Sequence, residues 1–167
     1  MKHLLLPSMY VESIYHIDLS KLRAKGIDTI ISDLDNTLVP WVESHVNPEL
    51  RGWLEDLKVQ GFKVCLVSNA VEKRIAHFRA ELNVPGISRA NKPSRRAFRQ
   101  ALRLLNSRPE TTAMIGDQII TDVLGGNRLG LFTILVVPLS KKEFIGTKIG
   151  RLLERWLLRH LVPQGRP

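Results

Sequence analysis

Cysteine is almost absent from this sequence, which has a single thiol, Cys65, among 167 residues. One cysteine excludes an internal disulfide and any zinc cluster built from several cysteines. No stretch approaches the roughly 18 consecutive apolar residues that a membrane-spanning helix requires. Near the amino terminus, the three leucines before Pro7 form too short a run for the apolar part of a signal peptide. We therefore expect a cytoplasmic protein.

Aromatic residues are also scarce, at 6% of the chain. Few side chains are thus available to stack on nucleic-acid bases, and no recognised nucleic-acid-binding motif is present. A non-catalytic module that binds RNA or a ribosomal partner is the least favoured class. The chain is 44% hydrophobic and 25% charged, which is typical of a soluble globular protein. Its length predicts one domain over residues 1–167.

Positive charge dominates, with a formal net charge of +9, and two segments carry most of it. Residues 89–108 hold seven basic residues and no acidic one. Residues 141–167 hold seven basic residues against two glutamates. Such segments either face an anionic partner or form a solvated surface, and both interpretations stay open.

Apolar runs alternate along the chain with segments of helical period. The predicted strands are residues 28–34, 63–69, 86–88, 112–116 and 132–137, with helices between them. A last, basic amphipathic helix is predicted over residues 142–161. This alternation predicts an α/β fold with a five-stranded, doubly wound parallel sheet. Ligands of such sheets bind beyond the carboxyl ends of the strands.

Polar and charged residues stand at those predicted strand ends. The first strand runs directly into two aspartates, in the stretch IISDLDNTLVPW at residues 30–41. Clustered carboxylates repel one another unless a cation lies among them, and oxygen ligands at this density suit Mg²⁺ together with substrate phosphate oxygens. The candidate site residues are Asp33 and Asp35 after the first strand, Ser68 and Asn69 at the end of the second, Asp117 and Asp122 after the fourth, and Lys92 before the arginine-rich helix.

Four segments, in order, resemble the motifs of the haloacid dehalogenase (HAD) superfamily of phosphohydrolases. They are DLDNTL at 33–38, VSN at 67–69, Lys92-Pro93, and GDQIITD at 116–122. More narrowly, DLDNTLVPW and GDQIITDVLGGNRLG are similar to the capless subclass IIIA branch of YqeG, whose relatives include mitochondrial phosphatidylglycerophosphatases. The resemblance implies a HAD-like fold and a Mg²⁺-dependent phosphatase that forms an aspartyl-phosphate.

The resemblance also implies a role for each matching residue. Asp33 would be the nucleophile, Asp35 the general acid and base, and Lys92 the cation that neutralises the phosphoryl group and Asp33. Asp122 would support the metal through water or orient Lys92. The implied phosphate-binding residues are Thr37, Ser68 and Asn69. The implied Mg²⁺ ligands are Asp33, the backbone carbonyl of Asp35, and Asp117.

The spacing of the motifs leaves no room for a cap domain, either between Asp35 and Ser68 or between Ser68 and Lys92. An open site suits a large or surface-presented substrate, and by resemblance the leading one is phosphatidylglycerophosphate. Basic residues recur at helical steps over 148–159, which suits an anionic phospholipid surface at the inner face of a membrane. A terminal helix that docks on the sheet with a solvated basic face is the other interpretation.

Two further expectations concern substrate and metal. The basic segment 89–108 also suits a nucleotide, a nucleic-acid end or a phosphoprotein as the alternative substrate. The five histidines show no ligand spacing along the chain. We therefore predict no histidine metal site, and only His45 is expected near the substrate.

Overall fold

The computed structural model describes residues 4–140 together with Arg155 and Arg159. The helices are α1 Leu19–Ala24, α2 Pro48–Val59, α3 Glu72–Leu82, α4 Arg95–Leu104 and α5 Leu124–Asn127. The strands are β1 Met9–Val11, β2 Thr29–Ser32, β3 Lys63–Val67, β4 Gly86–Ile87, β5 Thr112–Gly116 and β6 Phe132–Val136. Short 3-10 turns cover Ile14–His16 and Pro109–Thr111, and a π-helical segment covers Ile119–Val123.

One predicted element falls mostly beyond this range. The basic helix expected over 142–161 lies outside the described residues, except for Arg155 and Arg159, which are helical and exposed. Within the described part of the chain, no helix combines the length and apolar character needed to cross a bilayer.

The sheet has six parallel strands in the order β1-β6-β5-β2-β3-β4. The predicted parallel α/β architecture is confirmed, but the predicted number of five strands is wrong. The strand that was missed is β1, which pairs with β6 through Met9 opposite Ile134. It spans three residues at the sheet edge, which is too short to show a periodicity, and its strand conformation depends on this distant partner.

The chain order places a topological switch beside β2. From β2 the chain builds outward through β3 to β4, then returns to add β5 on the other side of β2. Adjacent crossovers leave in opposite directions at such a point, and ligands of these folds bind in the crevice beyond the carboxyl ends of the two strands, which here are β2 and β5. The sequences that follow these two strands contain the predicted acidic residues.

Both faces of the sheet are covered. In β2, Ile30 contributes to a core with Leu54 of α2 and Phe78 of α3, whereas Ile31 contributes to the opposite core with Phe98 of α4. Successive residues of a strand point to opposite faces, so a strand buried on both faces is apolar throughout. This packing holds the carboxyl end of β2 rigidly at the centre of the sheet.

Glycines bring α5 close to its neighbours. A Cβ atom added at Gly125 would lie 2.6 Å from Cε2 of Phe98, and one added at Gly126 would lie 2.7 Å from Cγ2 of Thr133. Both glycines are therefore packing residues. Their close contacts fix the position of the segment Ile119–Val123, which precedes α5.

Candidate active site

Two aspartates flank the switch point of the sheet. The backbone N–H of Asp33 donates to the carbonyl oxygen of Ile115 at 2.9 Å, so the pairing of β2 with β5 continues to this residue. Asp117 follows the end of β5 directly. Both aspartates are buried, with 6% and 3% of their surface exposed. The fold thus brings together two carboxyl groups that lie far apart in the sequence.

Lys92 lies between two of the buried carboxylates. Its Nζ is 2.9 Å from Oδ1 of Asp33 and 2.6 Å from Oδ1 of Asp122. Desolvation acts to lower the pKa of Lys92, but the charges of Asp122 and Asp33 outweigh it, so its pKa lies above its ordinary value. An ammonium group this deeply buried is tolerated only because it is paired.

Asp122 is held in place by its surroundings. Its Oδ2 accepts from the backbone N–H of Gln118 at 3.1 Å. A side chain at Gly116 would overlap the Asp122 carboxyl group, so this position requires glycine. Burial raises the pKa of Asp122 to about 6, because desolvation and the charge of Asp33 together outweigh the attraction of Lys92.

The acidic cluster consists of Asp33, Asp117 and Asp122. Each offers a carboxylate oxygen, and these three oxygens lie within 4.8 Å of one another. Three buried carboxylates against one buried ammonium group leave an excess of negative charge. Since buried charge must be compensated, the cluster fits a divalent cation, and its all-oxygen ligand set suits a hard ion. The side chain of Asp122, expected in a supporting role, belongs to this set and also contacts Lys92.

Asp35 lies at the edge of the cluster and interacts with a residue that the sequence analysis missed. Its Oδ1 accepts from Nε of Arg74 at 2.7 Å. Desolvation raises the pKa of Asp35 even though Arg74 opposes the shift. Arg74 also donates to the carbonyl oxygens of Glu43, at 2.9 Å, and Pro40, at 3.5 Å. Arg74 follows Asp35 by 39 positions, so no local spacing rule links the two.

The predicted phosphate-binding residues fall into different settings. Thr37 is buried, and its hydroxyl donates to Oδ1 of Asp117 at 3.1 Å. Ser68 follows β3, at the same sheet edge as Asp33, and its Oγ accepts from the backbone N–H of Ala70 at 3.1 Å. The amide of Asn69 pairs with the backbone of Lys92, since Oδ1 accepts from the Lys92 N–H at 2.8 Å and Nδ2 donates to its carbonyl oxygen at 3.4 Å. Asn69 therefore fixes the backbone of Lys92, and its predicted contact with phosphate stays a prediction.

The site is uncapped and has basic residues nearby. Between Asp35 and Ser68 the chain forms α2 and β3, and between Ser68 and Lys92 it forms α3 and β4. The predicted absence of a cap domain is confirmed. Helix α4 begins three residues after Lys92, and its exposed arginines are Arg95, Arg96, Arg99 and Arg103.

Comparisons with known proteins agree with this geometry. A family model described as HAD-hydrolase-like matches residues 89–137. The probable phosphatase YqeG of Bacillus subtilis is 42% identical over 165 residues, which cover 99% of this chain and 96% of that protein. Phosphatidylglycerophosphate phosphatase 1 of Arabidopsis thaliana is 30% identical over 97% of this chain, but this chain spans only 51% of that protein.

A solved structure supports the fold. The cobalt-bound deoxy-D-mannose-octulosonate 8-phosphate phosphatase of Haemophilus influenzae superposes with a TM-score of 0.54 at 18% identity, over 83% of this chain and 90% of that one. At such identity the likeness concerns the fold alone. The Bacillus relative, in contrast, matches nearly end to end, and the four motifs meet at one edge of the sheet. The chain therefore belongs to the HAD-like hydrolases, as a phosphatase of the branch represented by YqeG.

Proposed function

We propose that this protein is a Mg²⁺-dependent phosphomonoester hydrolase that acts through an aspartyl-phosphate on Asp33, with phosphatidylglycerophosphate as its substrate. The observation that supports the reaction best is the position of Asp33. Its Oδ1 lies 2.9 Å from Nζ of Lys92, and its carboxylate forms a buried cluster with those of Asp117 and Asp122. A carboxylate in this setting is fixed, desolvated and paired with a cation, which suits a nucleophile for phosphoryl transfer.

Asp33 and Lys92 perform the first half of the reaction. A carboxylate oxygen of Asp33 forms a bond to phosphorus while the bond from phosphorus to the alcohol oxygen breaks. Lys92 stays protonated because its pKa is raised, so it offsets negative charge on Asp33 and on the phosphoryl oxygens. Asp122 and the Asn69 amide hold the Lys92 side chain and backbone in position.

Asp35 moves the protons. In the first step its carboxyl group protonates the departing alkoxide, and in the second it accepts a proton from the water that hydrolyses the acyl phosphate. Its raised pKa favours the protonated form that the first step needs. Arg74 fixes the direction of the carboxyl group by its 2.7 Å contact with Oδ1.

The acidic cluster and the neighbouring hydroxyls bind the phosphoryl group and its cation. Asp33, Asp117 and the backbone carbonyl of Asp35 are the proposed Mg²⁺ ligands, and bound Mg²⁺ supplies positive charge to the phosphoryl oxygens. Thr37 is held against Asp117. Together with Ser68, it is the proposed donor to the phosphoryl oxygens.

Replacing Arg74 by alanine should lower kcat by about 10–100-fold for an alkyl phosphate and leave KM nearly unchanged, because Arg74 contacts Asp35 and no proposed substrate-binding group. With p-nitrophenyl phosphate the initial burst of p-nitrophenol should keep nearly its wild-type rate, because this leaving group needs no proton, whereas steady-state turnover should fall because hydrolysis of the acyl phosphate still uses Asp35. Steady-state kinetics on the alkyl phosphate and stopped-flow measurement of the p-nitrophenol burst test these two expectations. Lys73→Ala, a change at the neighbouring exposed position of α3, is the matched control and should behave as wild type. A burst rate that falls as far as kcat for the alkyl phosphate would mean that Arg74 does not act through Asp35.

Phosphatidylglycerophosphate is proposed as substrate on three grounds. Two relatives that bear this activity in their names are 30% and 31% identical over nearly the whole chain. The uncapped site is accessible to a head group presented at a surface. The exposed arginines of α4, together with the exposed Arg155 and Arg159 later in the sequence, suit an anionic lipid. Contact with the inner face of a membrane, at the periphery of the bilayer, is part of this proposal.

The same exposed arginines favour a second candidate substrate, namely a nucleotide, a nucleic-acid end or a phosphoprotein, since all are polyanions. A panel of phosphomonoesters with Mg²⁺, with and without anionic vesicles, separates the two. We expect the highest kcat/KM for short-chain phosphatidylglycerophosphate and a further gain with vesicles. A preference for nucleotides that ignores vesicles would overturn the lipid assignment while leaving the hydrolase intact.

A further inference from the structure

A second group of side chains that can bind metal lies outside the acidic cluster of Asp33, Asp117 and Asp122. His45, in the loop after Asp35, meets His77 and Glu81 of α3, and one ligand atom from each lies within 4.8 Å of the others. The rings of His45 and His77 are 6.2 Å apart in an edge-on arrangement. Because 32 positions separate the two histidines, no sequence spacing indicates that they meet. The sequence-based expectation that the histidines share no site does not take this tertiary contact into account.

Glu81 is held by one oxygen while the other is left for the cluster. Oε1 accepts from the backbone N–H of Val46 at 3.3 Å and contacts Nη2 of Arg51 at 3.3 Å. Oε2 is buried, and within the described part of the chain it makes no hydrogen bond, although Nε2 of His77 lies only 3.2 Å away. A buried carboxylate oxygen without a partner costs free energy. Nε2 of His77 donates its proton to the carbonyl oxygen of Ser44 instead, and a metal ion bound through this nitrogen would replace that proton.

We propose that His45, His77 and Glu81 form a second metal site, which binds a divalent transition-metal ion and is best suited to Zn²⁺. Two imidazoles and one carboxylate form a known protein ligand set for zinc, with the fourth position open to water. Both histidines are exposed, so the ion can reach the site from solvent. Imidazole ligands favour zinc, whereas the carboxylates of the acidic cluster favour Mg²⁺, so the two sites differ in ligand chemistry.

The site would act on the loop that follows Asp35. Arg74 already holds the start of this loop through the carbonyl oxygens of Pro40 and Glu43. Nε2 of His77 lies 2.6 Å from the carbonyl oxygen of Ser44, next to His45. A metal ion bound by His45 and α3 would fix the far end of the same loop. Zinc should therefore stabilise the folded protein, since a ligand that binds only the native state raises its stability. This inference does not depend on the proposed substrate or mechanism.

Equilibrium dialysis of the full chain tests the site. The protein is dialysed against micromolar ZnCl₂ in the presence of millimolar MgCl₂, which competes with zinc at the acidic cluster. Bound zinc is counted by elemental mass spectrometry. We expect about one zinc per wild-type chain, as for a site with three protein ligands. His45→Gln and His77→Gln should each lower zinc retention at least about tenfold, since each removes a metal ligand. His16→Gln, at a remote exposed histidine, and Asp117→Asn should retain zinc as wild type does.

Thermal unfolding provides a second readout that needs no catalytic activity. Zinc should raise the Tm of wild type and of His16→Gln, but not that of His45→Gln, whose exposed side chain leaves the metal-free fold unchanged. Wild type that retains no zinc, or histidine variants that retain as much as wild type, would overturn the proposal. If the Asp117→Asn protein retained no zinc, the proposal would be overturned too, because the ion would then belong to the acidic cluster.

Discussion

Replacing Asp33 by asparagine should lower kcat for phosphomonoesters by about 10⁴-fold or more, the scale of loss seen when a hydrolase loses its nucleophile. Asparagine has nearly the same shape, and its amide oxygen can still accept from Lys92, which lies 2.9 Å from Oδ1 in the native protein. The fold should therefore survive while the proposed attacking carboxylate is removed. Phosphate release measured by a coupled assay, with circular dichroism to verify the fold, gives the comparison.

Asp28→Asn is the matched control for this change. Asp28 immediately precedes the amino end of β2 and accepts from the hydroxyl of Thr29 at 2.7 Å. The substitution is chemically identical but lies at the opposite end of the strand from the crevice, so its activity should equal that of wild type. An Asp33→Asn protein that still turns over substrate at a rate near wild type would eliminate Asp33 as the nucleophile.

Replacing Lys92 by methionine should abolish most activity and destabilise the metal-free protein by about 3–5 kcal/mol, the usual cost of removing one partner from a buried ion pair. Methionine has a similar length but no charge, so Asp33 and Asp122 would be left buried beside each other without their cation. Mg²⁺ should recover part of the lost stability, because the proposed Mg²⁺ site uses the same carboxylates and exists in the folded state only.

Urea unfolding with and without Mg²⁺ measures both effects on Lys92→Met. Lys73→Met, at an exposed position of α3, should unfold as wild type does and show no additional gain from Mg²⁺. If Lys92→Met were as stable as wild type without metal, the charge balance inferred for the acidic cluster would be incorrect.

The sequence predicts the chemistry of this site better than its tertiary contacts. Asp33, Asp117 and Asp122 could be placed near one another because parallel strands end at one edge of a sheet. The edge strand β1 could not be recognised, because three residues carry no period and its partner, β6, lies more than a hundred residues away in the chain.

Contacts between loops and helix faces are the other class that escapes prediction. Arg74 reaches Asp35 and His45 reaches His77 only because the loop after Asp35 folds back onto α3. That path is set by packing and by backbone hydrogen bonds rather than by a local pattern. Asn69 illustrates the same limit, since a motif match identifies the residue but not its pairing with the Lys92 backbone.

The most direct test of the proposed chemistry is the intact mass of the Asp35→Asn protein after mixing with p-nitrophenyl phosphate and Mg²⁺. This substrate loses its alcohol without acid assistance, whereas in the proposed reaction the release of phosphate from Asp33 still requires the Asp35 carboxylate. The variant should therefore gain the mass of one phosphoryl group, localised by peptide mapping to Asp33. A variant that consumes the substrate yet stays unmodified, or that carries the group on another residue, would contradict an aspartyl-phosphate on Asp33.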